Sequence, residues 1–192
     1  MKKVSIAVAS VSLVALFGLV LFLNGLPAAE QLKSGPQTGD EVPGPFHPLN
    51  VTGESAGQKA CLYCKNGSNP VAMIFAREVS TPLTKLIKKV DKATAKHGDC
   101  KMGSFVVFLS DEEALANQLK DMAKKEGIEQ TVLSIDNPAG PKDYNVAKDA
   151  DVTVVLYTKH NVKANYAFKK GELKDKDVDQ IVTDIAKILP KE

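Results

Sequence analysis

Five short apolar runs, spaced by segments with helix start and stop signals, constrain the fold of this chain more than any other feature. Val71–Ala76, Phe105–Leu109 and Thr131–Ile135 are bounded by turn residues and read as buried strands. Between the first two, Ser80-Thr81-Pro82 supplies an N-cap and a proline at the first helical position. Leu83, Leu86, Ile87 and Val90 follow at helical spacing, and Gly98 marks the stop. Between the second and third, Ser110-x-x-Glu113 reads as a capping box for a helix carrying Leu115, Leu119 and Met122, ended by Gly127. After a loop with Asn137-Pro138 and Gly140-Pro141, Val152–Tyr157 is a fourth strand. Lys159-His160-Asn161 turns the chain, and Val162–Phe168 alternates as a hairpin partner. Val178, Ile181, Val182, Ile185 and Leu189 then mark a last helix. A short strand is expected around Leu49–Thr52. The order β-α-β-α-β, then β-β-α, predicts an α/β fold: a three-layer α/β/α sandwich around a central mixed β-sheet.

The N-terminus reads as targeting sequence. Lys2 and Lys3 precede an apolar run from Val4 to Leu23, and Leu26-Pro27-Ala28-Ala29 offers small residues for cleavage. Residues 1–29 are thus expected to be a signal peptide or, if uncleaved, an N-terminal anchor. Residues 30–48 form a Gly/Pro-rich leader, and 49–192 the folded domain. Either outcome exports the domain to a periplasmic or secreted setting where disulfides persist. Loss of Lys2 and Lys3 takes the formal charge from +2 to neutral. No Lys/Arg block is interleaved with aromatics, so no nucleic-acid surface is expected, and membrane contact is expected only through an uncleaved anchor. Lys85, Lys88, Lys89 and Lys92 read as the solvated side of a helix.

Three cysteines leave at least one unpaired within a monomer. Cys61-Leu62-Tyr63-Cys64 lies in a polar, turn-forming stretch from Gly53 to Asn69, ahead of the first core strand. Lys65-Asn66-Gly67-Ser68-Asn69-Pro70 follows it and reads as turn, so no helix N-terminus is expected to activate a thiol here. Lys59 and Lys65 flank the pair and favour a thiolate. The spacing suits a structural disulfide, a redox pair or half of a metal site. For the last, His97-Gly98-Asp99-Cys100 ends a helix just before the second parallel strand. Cys61, Cys64, His97 and Cys100 can then converge at one sheet edge as a tetrahedral zinc set. No other cofactor is expected.

The element order over roughly residues 40–190 resembles the thioredoxin-like fold. The leader Gly39-Asp40-Glu41-Val42-Pro43-Gly44-Pro45-Phe46 is similar to the G-x-x-x-P-x-F opening of its redoxin and peroxiredoxin branch, and Lys170-Gly171-Glu172-Leu173 after the hairpin to the late strand pair of thioredoxins. The resemblance implies thiol–disulfide chemistry with protein thiols or disulfides as partners, Cys61 attacking and Cys64 resolving. In that family the reactive cysteines follow the first core strand; here that slot reads Arg77-Glu78-Val79-Ser80-Thr81-Pro82, without cysteine. Nor is there a proline in Ala150-Asp151-Val152-Thr153, where thioredoxins carry a cis-proline. The alternative is a non-enzymatic thioredoxin-fold module whose cysteines are structural or hold zinc.

His47 and His160 read as polar loop residues, and Asp111, Glu112 and Glu113 as helix N-terminal charges. Arg77 and Glu78, at what is the functional edge of the fold the chain resembles, read as an ion pair, with contact to a ligand as the alternative. No Ser-His-Asp set, P-loop or G-x-G-x-x-G occurs.

Overall fold

Right-handed crossovers decide which face of the sheet each helix covers. The computed structural model describes residues 32–191, so the expected targeting segment, residues 1–29, lies outside the described residues. The strands are β1 (Leu49–Asn50), β2 (Val71–Ala76), β3 (Gly103–Leu109), β4 (Val132–Asp136), β5 (Val152–Thr158) and β6 (Asn161–Phe168). They form one sheet in the order β1-β4-β3-β2-β5-β6, with β2, β3 and β4 parallel and the other pairings antiparallel. The chain steps the same way twice, β2 to β3 to β4, so both connecting helices must lie on one face.

The cores bear this out. Helices α2 (Thr81–Lys96), α3 (Leu115–Glu126) and α4 (Asp175–Asp184) bury Leu83, Leu86, Leu119 and Ile181 against Ala72 and Ile74 of β2 and Val106 and Phe108 of β3. The alternate residues Val71, Met73, Phe75, Phe105 and Val107 face the other way. That second face is covered by Val42 and Phe46 of the leader, Leu62 and the connection's Tyr144. The three layers are therefore α2–α4, the mixed sheet, and a largely non-helical cover.

The leader is stitched down, which its glycines and prolines do not announce. The Ser34 and Thr153 hydroxyls are hydrogen-bonded at 2.6 Å, and Ser34 Oγ accepts from the Ala147 N–H. Asn165 Nδ2 donates to the carbonyls of Ser34 and Pro36. Val42 N–H donates to the His160 carbonyl at 2.8 Å.

Four local expectations shift. The stretch after Cys61 is not all turn: Leu62–Asn66 forms a short helix, here α1. Ser110 makes no capping box; its hydroxyl accepts from the Glu112 N–H in a turn, and α3 begins later, at Leu115. The Ser110 N–H itself is committed to Asp136 O, which holds it at the end of the strand. Pro82 falls at the second helical position of α2, behind Thr81, with Ser80 as N-cap. The last helix tightens into a 3-10 turn at Ile185–Lys187, which still buries Ile185 and Ile188.

Candidate functional site

Cys61 and Cys64 are joined by a disulfide, with their Cα atoms 5.2 Å apart. Cys61 is extended and caps α1: its Sγ accepts the Cys64 N–H at 3.0 Å, and its carbonyl accepts the Lys65 N–H at 3.1 Å. At the other end Asn66 Nδ2 donates to the Leu62 carbonyl, and Gly67 ends the helix at φ 52°, ψ −132°, a conformation that favours glycine. A five-residue helix shows no periodicity, so only its capping marks it in sequence. The polar Asn66-Gly67 pair does mark a turn, but as the helix stop.

Two contacts fix α1 to the sheet. Leu62 is buried in the core of the second face. Asn66 lies directly against Gly103, the first residue of β3; a Cβ there would stand 1.9 Å from Asn66 Oδ1. Cys64 is exposed and Cys61 half-buried, so the bridge is open to solvent. Lys65 is engaged by Glu54 at 3.1 Å, an exposed pair of little energetic weight.

The β5–β6 turn packs against the same segment. Lys159 N–H donates to the Ser68 carbonyl at 3.0 Å, and the His160 ring lies 4.9 Å from that of Tyr63, the residue between the cysteines. His160 Nε2 is 3.4 Å from the Ser68 hydroxyl, while its Nδ1 is buried without a partner. Beneath, the fully buried Tyr157 hydroxyl also lacks a partner, and burial pushes its pKa up. In sequence His160 reads as a plain turn residue. A contact between two distant loops leaves no local signal.

The residues of the zinc set fall otherwise. Cys100 sits in the 3-10 turn Gly98–Cys100, donates from Sγ to the His97 carbonyl at 3.2 Å, and packs on the helical face. Leu62, between the bridged cysteines, packs on the opposite face. Among the described residues no three His, Cys, Asp or Glu side chains gather where a metal could be held.

At the opposite edge, the slot after β2 is occupied by a structural arginine. Arg77 donates from Nε to the Ala150 carbonyl, from Nη1 to Pro138 and from Nη2 to Ala147, at 2.9–3.1 Å. The expected Arg77–Glu78 ion pair is not formed; Glu78 instead takes Lys170. Burial, and then the Glu78 charge, raise the carboxyl pKa of Asp151, against Lys170 and Arg77. No cis peptide bond occurs among the described residues, including Ala150-Asp151-Val152-Thr153. His47, Asp111, Glu112 and Glu113 are exposed.

No protein-family model and no curated protein matches the sequence. Solved structures do. The chain superposes on a candidate protein disulfide isomerase from Bacteroides thetaiotaomicron with a TM-score of 0.62 at 16% identity, over 83% of this chain and 96% of that one. It superposes on peroxidoxin BcpB from Mycobacterium tuberculosis with a TM-score of 0.58 at 13% identity, covering 81% and 99%. A DsbF homologue from Corynebacterium diphtheriae gives 0.58 at 15%, covering 80% and 98%. Identities this low speak to architecture and not to activity. Together with the mixed sheet and its helices, they establish that the chain has a thioredoxin-like fold.

Proposed function

We propose that this protein carries out thiol–disulfide exchange at Cys61 and Cys64, with protein thiols or disulfides as substrates. In the reducing direction the Cys61 thiolate attacks a substrate disulfide, forming a mixed disulfide and releasing one substrate thiolate. The Cys64 thiolate then attacks Cys61 Sγ, which closes the Cys61–Cys64 bridge and releases the second. Two electrons pass to the substrate, and its two thiolates take up protons from water. The observation that carries the reading is an exposed bridge whose Cys61 Sγ already accepts the Cys64 N–H at the start of α1. The expected targeting segment and the presence of a disulfide both fit an exported, periplasmic or secreted protein. No helix of the described residues is long and apolar enough to cross a membrane.

The second reading, a disulfide that only holds the cover in place, draws on Arg77 filling the slot where this fold usually carries its cysteines. Insulin reduction separates the two. Turnover by the domain, abolished in Cys61→Ser and retained in Cys100→Ser, supports exchange. A bridge that persists in millimolar glutathione, with no turnover, supports the staple. One equivalent of co-purifying zinc, lost in Cys100→Ser, would instead revive the zinc set of Cys61, Cys64, His97 and Cys100.

A further inference from the structure

The turn that packs on Tyr63 is built at a cost. Lys159 and His160 both adopt left-handed backbone conformations, at φ 50° and 62°. Asparagine or glycine would take that geometry more easily than either. His160 also buries Nδ1 without a partner, leaving a polar group desolvated and unpaired. Glycine at 160 would remove both penalties at that position, so the fold retains them along with one gain: the imidazole packs against the Tyr63 ring, tilted by 42° at a centroid separation of 4.9 Å, and meets the Ser68 hydroxyl through Nε2. Tyr63 is the middle of the Cys61–Cys64 loop, and Ser68 belongs to the turn that ends it. Local features that oppose stability concentrate where a site must be held in one geometry.

We infer that His160 is a positioning residue for the cysteine pair. Packed against Tyr63, it holds the Cys61–Cys64 loop closed, with the two cysteines at the 5.2 Å Cα separation of the bridged state. The inference builds on the exchange reading but stands apart from it in one respect: it concerns how readily the bridge closes, whether or not the protein turns over substrate. A loop held in the closed form raises the effective concentration of one thiol at the other, so the bridge is harder to reduce. Loss of the ring contact therefore makes the pair easier to reduce.

The test is the equilibrium of the Cys61–Cys64 bridge with dithiothreitol, followed by alkylation and mass spectrometry in the Cys100→Ser background. Dithiothreitol supplies both electrons and both protons and leaves as its cyclic disulfide. His160→Asn keeps a residue that tolerates the left-handed backbone and removes the ring. It is expected to shift the equilibrium about fivefold toward the dithiol, the size expected of one aromatic contact. Tyr63→Phe keeps the contact and should stay within about twofold, whereas Tyr63→Leu should match His160→Asn. In the Tyr63→Leu background His160→Asn should add nothing further. If His160→Asn lowers the melting temperature but leaves the equilibrium unchanged, His160 is merely structural and the inference fails. Independent, additive effects of Tyr63→Leu and His160→Asn overturn it as well. Insulin turnover by the unmodified protein, read separately, reports on the exchange proposal alone.

Discussion

Gly103 shows how one missing Cβ positions the cysteine loop. It does not need glycine for its backbone angles; it needs it because Asn66, at the end of α1, occupies the space a side chain would fill. Gly103→Ala is expected to push Asn66 off the Leu62 carbonyl and destabilise the protein by roughly 1–3 kcal/mol, read by urea denaturation. Arg77 makes a comparable point at the opposite edge. Its guanidinium ties together three loop carbonyls, and Arg77→Ala should cost about 1–3 kcal/mol, chiefly by leaving the part-buried Ala150 carbonyl without its donor. Neither role was legible in sequence. Asn66-Gly67 shows a turn but not what it abuts, and an arginine beside a glutamate suggests an ion pair when its acceptors are backbone oxygens far along the chain.

The helices were more legible because their signals repeat. The apolar spacing of Leu83, Leu86, Ile87 and Val90, with Ser80 and Pro82 ahead, marks α2. Lys85, Lys88 and Lys89 do lie on its outer side, where they pair with Asp175, Glu126 and Asp179 of the neighbouring helices. The end of α4 is less regular and carries a buried carboxylate. Asp184 meets Tyr166, Gln180 and Lys187. Burial raises its pKa, but the hydrogen bonds from Lys187 and Tyr166 outweigh it, so the folded-state value lies below the usual 3.8. A depressed carboxylate contributes stability above its unfolded pKa and loses it as pH falls through the folded one. Asp184→Asn should therefore be less stable than the unmodified protein by roughly 1–3 kcal/mol at pH 6, with the gap closing below about pH 4 in pH-dependent denaturation.

The two faces of the sheet are built differently. The β-α-β-α-β succession through β2, β3 and β4 was readable from the spacing of the apolar runs; the sheet order, seen only in the structure, combines with crossover handedness to place α2 and α3 together. What covers the other face was not readable, because the cover is a leader, a five-residue helix and a connection with no repeating pattern. Phe46 is its anchor, packed against Phe75, Phe105 and Tyr144 at centroid separations of 4.9–6.4 Å. Phe46→Ala is expected to cost about 3–5 kcal/mol, measured by denaturant unfolding. The Cys61–Cys64 loop sits in this cover through Leu62, away from the slot after β2, while Cys100 packs on the helical face. The sequence located the pair ahead of the first core strand; only the fold shows the two faces that separate it from Cys100. Trapping tests the exchange reading most directly. Cys64→Ser incubated with oxidised glutathione should accumulate one glutathione per chain, mapped to Cys61 by peptide mass spectrometry. No adduct, or one confined to Cys100, would contradict an attacking thiol at Cys61.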